Sequence, residues 1–228
     1  MKVRVAQCWD DGVYTDLNVI EILRKYGAKA TFNLNPGSMA EDRIPASWCE
    51  DVTKAGWFHG FQPGRMGLKD IGGVYRDFQV ASHAWTHDAI GYGPTDEECV
   101  AAAVKARNYL ENVLQRPCPG YAWPMGSYSE KAMRLMHEAG FAYGRTTKNV
   151  EDVTAYEDSM ALHPNCHFLA NDFIQRYERA KQTGAFYFWG HSYEMMDCQG
   201  LLHQFEMKIK YISEDPDAEW VDVIDLVN

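Results

Sequence analysis

Two histidine pairs in this chain have the spacing of a metal-binding motif. His83 and His87 lie four residues apart in ASHAWTHD, and His163 and His167 repeat that spacing in HPNCH. For a chain with 8 histidines in 228 residues, chance supplies roughly 0.3 such pairs, so spacing cannot choose between them. Pro164 breaks the helical geometry that would make the second pair converge. The position of each pair in the fold must therefore separate them.

Three other polar side chains could complete a set for hydrolysis. Asp10 and Asp11 directly follow the apolar run VRVAQCW, and His191 follows AFYFWG. Two neutral imidazoles and one carboxylate can bind a divalent metal ion and leave positions open for water and substrate. A second carboxylate can then act as a base, and a further histidine can protonate a leaving group. The alternatives are ordinary ones: Asp-Asp-Gly often only shapes a turn, and His191 could be a core histidine bonded to the backbone.

The hydrophobic pattern predicts strands that alternate with helices. Predicted strands cover 3–9, 28–37, 77–83, 120–124, 141–147, 160–163, 184–191 and 219–227. Predicted helices cover 17–26, 95–116, 129–140, 171–182 and 201–214, and a short one is possible within 40–56. The segment 58–67 has the composition of a loop. Thr95 and the acidic residues after it are typical of a helix start.

This alternation predicts a parallel sheet, either doubly wound or closed into a barrel. No glycine-rich phosphate-binding motif follows the first strand, so we expect one barrel-like α/β domain over residues 1–228. In such barrels the reactive groups collect at the carboxyl ends of the strands. Asp10, Asp11, His83 and His191 all lie at predicted strand ends. This context separates the first histidine pair from chance.

Charge and cysteine content limit the possible partners. The formal net charge is −10, with no dense cluster of lysine and arginine. Nucleic-acid binding is therefore disfavoured, and we expect a neutral or cationic small ligand. The six cysteines are scattered, which favours buried thiols over disulfides. The first residues contain no apolar run of signal-peptide length and no segment is long enough to span a membrane, so we expect a cytoplasmic protein without membrane contact.

Four segments resemble the motifs of the polysaccharide deacetylases, the NodB-homology proteins of carbohydrate esterase family four. CWDDG resembles the family's TFDDG motif, and ASHAWTH is similar to its SHTxSH metal motif. YAWPMGSYSEKAMRLMHEAGF looks like its FRPPYGxYS segment and the helix that follows. YFWGHSYE stands where the family has a late Leu-x-His motif. The resemblance runs from residue 3 to about residue 195.

The resemblance implies a role for each matching residue. The implied metal ligands are Asp11, His83 and His87. Asp10 would be the general base, and His191 the general acid. The backbone N–H of Met125 would sit where the family has its oxyanion donor. Two positions depart from the family: Ala122 stands in place of the arginine that steadies the catalytic aspartate, and Met125 in place of the usual tyrosine. The aspartate that orients the catalytic histidine has no clear counterpart.

The implied protein is a distorted (β/α) barrel that removes N-acetyl groups from amino sugars or oligosaccharides with one divalent ion, Zn²⁺ by default. A hydrolase of a small non-sugar amide and a catalytically silent sugar-binding relative are the alternatives. Trp123 and Trp189 could stack on a sugar ring, though large aromatics near barrel strands are as often core. His163 is a further candidate for lining the pocket, and His167 is a weaker candidate. For the remaining histidines we expect surface or packing roles: His59, His137 and His203.

Overall fold

The computed structural model describes residues 2–48, 61–195 and 199–227, and its central feature is a curled parallel sheet. Its strands are β1 (Val3–Asp10), β2 (Thr31–Leu34), β5 (Gln79–Ser82), β6 (Gly120–Ala122), β7 (Tyr143–Arg145), β8 (Cys166–His167), β9 (Ala185–Gly190) and β10 (Ala218–Trp220). A separate antiparallel pair is formed by β3 (Ser47–Trp48) and β4 (Phe61–Gln62).

The strands of the main sheet follow the order β7-β6-β5-β2-β1-β9-β8, and β10 also pairs with the start of β1. Every pairing in this sheet is parallel. A single bridge between Arg145 and Leu162 lies near the gap between the two outer strands. The expected distorted (β/α) barrel is therefore confirmed, in the form of an incompletely closed sheet whose carboxyl ends lie together at one rim.

Helices follow most of the strands, as a parallel sheet requires. They are α1 (Asp16–Tyr26), α2 (Ile71–Val74), α3 (Asp96–Leu114), α4 (Glu130–Glu138), α5 (Phe173–Thr183) and α6 (Gln199–Ser213). The predicted start of α3 is confirmed, because the Thr95 side chain accepts from the Glu98 N–H and the Glu98 carboxylate accepts from the Thr95 N–H. At the end of α1, Gly27 has a φ of 63°, a left-handed conformation that suits glycine. None of the helices described is long and apolar enough to cross a membrane.

The main core lies between the sheet and the helices. Trp9, on β1, is completely buried and packs against Phe168 and Phe205 with ring centroids 5.1 and 5.0 Å away. Phe32, on β2, packs in the same way against Tyr75 and Phe78. Because these side chains point outward from the sheet toward the helices, the polar side chains at the strand ends face the interior of the curl.

The structure corrects three of the predicted elements. A strand was expected at 160–163, but a short 3₁₀ turn occupies Ser159–Ala161 and the strand begins only at Cys166, because Pro164 interrupts the segment. The final strand is shorter than expected and is followed by a 3₁₀ turn at Val223–Leu226. The expected loop at 58–67 contains the short strand β4, which pairs with β3. Residues 49–60, including His59 and much of the segment 40–56 expected to hold a short helix, lie outside the described residues, so that helix stays a prediction.

Four cysteines lie within the described part of the chain, and all are buried free thiols: Cys8, Cys99, Cys118 and Cys166. This confirms for these four the expectation of buried, unpaired thiols. Cys49 and Cys198 lie outside the described residues.

Candidate active site

The polar residues predicted at strand ends do meet at the rim of the sheet. Asp10 ends β1, His83 directly follows β5, and His191 directly follows β9. They line one cavity of about 530 Å³ together with Asp11 and His87. Parallel strands bring their carboxyl ends to one edge, so residues distant in the sequence converge there. The second histidine pair is absent from this lining.

Asp11, His83 and His87 form a group with the geometry of a metal site. Their ligand atoms all lie within 4.8 Å of one another, and Nε2 of His83 is 3.7 Å from an Asp11 carboxylate oxygen. Nδ1 of His83 lies 2.9 Å from the carbonyl oxygen of Ala122, which is the outer hydrogen bond that ligating histidines usually make. Burial lowers the pKa of His83 to about 4, although Asp10 and Asp11 oppose this, so its imidazole is neutral and Nε2 has a free lone pair. The three residues therefore fit a divalent ion.

The backbone around this group is strained in a way that points its side chains together. Asp11 and His87 have φ angles of 80° and 66°, and Ala84 has 61°. Left-handed conformations are costly for such residues and persist where the surrounding structure holds them. At Asp11 the hold is visible, since its N–H donates to Asn33 and its carbonyl accepts from Arg65 at 2.7 Å.

Asp10 is buried and held by two donors. The Asn33 amide donates to one carboxylate oxygen at 2.7 Å, and the Arg145 guanidinium donates to the other. Burial alone would raise the pKa of Asp10, but the charge of Arg145, joined in acid by those of protonated His83 and His191, outweighs it and holds that pKa well below its usual range. Asp10 is therefore ionised at any ordinary pH. This arginine lies at the end of β7, whereas the family resemblance placed an arginine beside the aspartate at position 122, where this chain has Ala122.

His191 lies beside the Asp10 carboxylate oxygen that accepts from Arg145, with its Nε2 3.8 Å from that oxygen. On the other side of the ring, the Glu194 carboxylate is 3.3 Å from Nδ1 and also accepts the His191 backbone N–H at 2.9 Å. Burial opposes protonation, yet Glu194 and Asp10 together raise the pKa of His191 to about 8. The ring is fixed further by stacking on Tyr193 at 4.9 Å. A protonated, oriented imidazole thus faces the cavity.

Glu194 also contacts a second histidine. Its carboxylate is 2.9 Å from Nε2 of His167, whose Nδ1 accepts the Leu169 N–H at 3.3 Å. The two histidines hold the pKa of Glu194 at about 2 in spite of its burial. His167, His191 and Glu194 form a second cluster of ligand-type atoms, but the bonds to Glu194 account for its arrangement.

The remaining residues that the sequence suggested for the pocket differ in their positions. Trp123 lines the cavity but is only 1% exposed, and it donates its indole N–H to the Met160 carbonyl, which favours the core role over stacking on a sugar. Trp189 lines the cavity, but Arg145 covers its ring at 5.0 Å. Met125 is 59% exposed at the cavity wall with a φ of 59°. His163 bonds to the Thr146 hydroxyl at 2.5 Å and does not line the cavity.

Outside the cavity, His137 fulfils the expected surface role, since its Nε2 lies 2.8 Å from an Asp158 oxygen. The sequence did not predict a role for Arg145 or Glu194. Arg145 keeps Asp10 ionised, and Glu194 supports the protonated form of His191. A signal existed for each: Arg145 ends the apolar segment FAYGR, and Glu194 follows His191 by three residues.

Comparison with known proteins identifies the family and the fold of this chain. A family model described as polysaccharide deacetylase matches residues 2–144. No curated protein matches the chain. A crystal structure of a protein from Mycobacterium smegmatis, described as a putative polysaccharide deacetylase, has a TM-score of 0.64 at 14% identity, covering 99% of this chain and 90% of that one.

Two further solved structures are similar in fold. A polysaccharide deacetylase from Bacillus cereus has a TM-score of 0.50 at 20% identity and covers 68% of this chain and 44% of its own. A pseudoenzyme of the CE4 family from Bacillus anthracis has a TM-score of 0.57 at 14% identity and covers 100% and 66%. The chain spans about half the length of the first solved structures that it matches, 55% and 44%. At these identities the likeness shows the fold alone.

Proposed function

This chain belongs to the polysaccharide deacetylase family, and we propose that it is a metal-dependent hydrolase that removes N-acetyl groups from an amino sugar or a short oligosaccharide. The observation that carries the proposal is the pairing of an ionised carboxylate with an imidazole whose pKa is raised. Asp10 and His191 face each other across 3.8 Å beside the metal-type group. Two titratable groups with opposed pKa shifts are the usual sign of a base and an acid.

The proposed cofactor is one divalent ion held by Asp11, His83 and His87. The mixed imidazole and carboxylate donors favour Zn²⁺. When bound, such an ion supplies Lewis-acid polarisation of the amide carbonyl. The neutral state of His83 and its bond to Ala122 support this assignment, because a protonated imidazole cannot ligate.

Asp10 is proposed to accept the proton of the attacking water. Its bond to Arg145 keeps it ionised at every working pH, at the expense of some basicity. The second bond, from Asn33, fixes the carboxylate so that one oxygen stays turned toward His191. The Asp10 carboxylate is thus held in a fixed orientation as a proton acceptor.

His191 is proposed to give its Nε2 proton to the departing amine. An amide nitrogen is a poor leaving group until it is protonated, so the acid must carry its proton at neutral pH. The pKa of about 8 meets this condition. The backbone N–H of Met125, at the cavity wall, is proposed as a donor to the developing oxyanion, and the left-handed φ of 59° there sets the direction of its peptide.

Two alternatives remain open to experiment. A small non-sugar amide also suits a cavity of about 530 Å³, which lies in the range of small-molecule sites. For a catalytically silent relative there is a precedent in the protein from Bacillus anthracis that is described as a CE4 family pseudoenzyme. The simultaneous presence of Asp10, Arg145, His191 and Glu194 supports catalysis over silence, because binding alone does not require a charged base and an oriented acid.

The test is acetate release from chitooligosaccharides before and after treatment with a chelator, with Asp11→Ala as the matched variant. We expect release by the metal-loaded protein and its loss in both the chelated protein and the variant. Return of activity on adding Zn²⁺ to the chelated protein, but not to Asp11→Ala, completes the case. Release that survives the chelator contradicts metal dependence, and an inactive, metal-loaded protein contradicts the sugar substrate.

A further inference from the structure

Arg65 is held at the wall of the active-site cavity by its backbone. Its N–H and carbonyl form a pair of bonds with Ile44, of 2.8 and 2.9 Å, and the next residue, Met66, donates to Gly12 at 3.0 Å. Gly64 precedes it with a φ of 66°, and a side chain there would strike the Ile44 carbonyl at 2.2 Å. The chain therefore places the base of the Arg65 side chain firmly at the cavity rather than leaving it to solvent.

The guanidinium of Arg65 makes a hydrogen bond through only one of its edges. One terminal nitrogen donates to the carbonyl oxygen of Asp11 at 2.7 Å, which anchors the group beside the metal-type residues. Its other nitrogens make no hydrogen bond or ion pair within residues 2–48, 61–195 and 199–227. A planar guanidinium with a free edge in a cavity can accept a carboxylate in a two-point contact.

The other charges of the cavity are already matched. Asp10 is paired with Arg145, and the protonated His191 is paired with Glu194. The Asp11 carboxylate lies 3.7 Å from the neutral His83, and the divalent ion of the proposed function would match its charge. Among the residues that the structure describes, the positive charge of Arg65 therefore has no carboxylate partner, in a molecule whose net charge is −10. An unmatched cation inside an acidic protein is an unusual arrangement that favours an anionic ligand at that one place.

We propose that the substrate carries a carboxylate a few bonds away from its acylated nitrogen, and that Arg65 binds it. The inference rests on the proposed function and narrows it to acidic N-acyl compounds, such as acetylated sugar acids. It also reverses the expectation from net charge alone of a neutral or cationic ligand, because the charge presented at Arg65 is positive although the net charge of the whole chain is negative.

The test compares two substrates that share a ring and an N-acetyl group but differ in a carboxylate: N-acetylmuramic acid and N-acetylglucosamine. We expect the metal-loaded protein to have a higher kcat/KM for the acid. Arg65→Gln should lower kcat/KM for the acid by about tenfold to a hundredfold, the usual worth of a hydrogen bond between charged groups, and should change the neutral substrate far less. Arg65→Lys, which keeps the charge but loses the two-point contact, should fall between them. Arg24→Gln, a surface variant on α1, is the matched control.

An equal loss on both substrates in Arg65→Gln overturns the inference and assigns Arg65 to the support of Asp11. A wild-type preference for the neutral sugar overturns it as well, while leaving the proposed function intact. If neither sugar is hydrolysed, the proposed sugar substrate fails but the inference is still tested by calorimetric titration with the same two compounds. Tighter binding of the acid, lost in Arg65→Gln, supports a carboxylate site, and equal binding of the two contradicts it.

Discussion

The guanidinium of Arg145 donates to the carboxylate of Asp10 across the interior of the curled sheet, although three strands separate β7 from β1 in the strand order. Both side chains are almost completely buried, at 1% and 3% exposure. A flat sheet with this strand order could not make the contact. The curvature of the sheet therefore supplies an arginine to Asp10 from a strand other than the one that carries Ala122.

Arg145→Met should raise the pKa of Asp10 and lower activity. Without the guanidinium, burial dominates, so the acidic limb of the pH–rate profile should move to higher pH. Breaking one side of a buried pair costs about 3–5 kcal/mol, so the free energy of unfolding should fall as well. Because the folded pKa of Asp10 is depressed, the pair stabilises the protein above the unfolded pKa of about 4 and this stabilisation disappears as the pH falls through the folded pKa.

Denaturation of wild type and Arg145→Met across pH checks this prediction. The difference in stability should be largest above about pH 4 and shrink in acid. The double variant Arg145→Met/Asp10→Asn removes both charges and should recover part of the lost stability. A stability difference that is independent of pH would show that Arg145 acts only by packing.

Asp10→Asn and Asp11→Ala should separate turnover from metal binding. Asp10→Asn should keep its metal and its fold but lower kcat by about two to four orders of magnitude, the usual value of a positioned base. Asp11→Ala should lose metal and activity together, because Asp11 belongs to the ligand group. Metal content by atomic emission, measured beside acetate release, checks both variants. Loss of metal from Asp10→Asn means that the two roles are assigned the wrong way round.

Glu194→Gln should lower the pKa of His191 from about 8, because the negative charge that supports the imidazolium is removed. The alkaline limb of kcat should move to lower pH, since the acid must carry its proton. Histidine NMR titration of the metal-loaded protein measures the pKa directly. Glu178→Gln, on the exposed face of α5, is the matched control and should leave both quantities unchanged.

The raised pKa of His191 also makes the free energy of unfolding depend on pH. The folded pKa of His191 lies above its unfolded value of about 6.5, so its contribution to stability is complete below that pH and is lost as the pH rises through about 8. Glu194→Gln should therefore be most destabilising in the acidic half of the range. A His191 pKa that stays at about 8 in Glu194→Gln would show that Glu194 does not support the protonated form of the acid.

His191→Ala should harm amide cleavage far more than ester cleavage. The amine of an amide must be protonated as it leaves, whereas the leaving group of an aryl ester needs little protonation. We expect a loss of about a hundredfold or more in kcat on the amide. Turnover of an N-acetylated sugar and an aryl acetate by the same preparation measures the ratio. Equal losses on both substrates would identify His191 as a positioning group.

The local sequence predicted the alternation of strands and helices, and with it the residues that end β1, β5 and β9. Strand ends can be read from the sequence because an apolar run stops where the chain leaves the core. Parallel pairing then brings Asp10, His83 and His191 to one edge whatever the details of packing. For this reason the sequence predicts the candidate metal ligands and the pair formed by Asp10 and His191.

The tertiary structure decided which distant side chains support those residues. Arg145 reaches Asp10 only because the sheet curls. Glu194 serves His191 and His167 together because the turn after β9 faces the carboxyl end of β8. From the sequence, His163 was preferred over His167 as a pocket residue, yet β8 begins only at Cys166, so His167 lies at the strand end and His163 lies before it. Such contacts depend on curvature, register and strand limits, which are set by the packing of the whole chain and not by any local pattern.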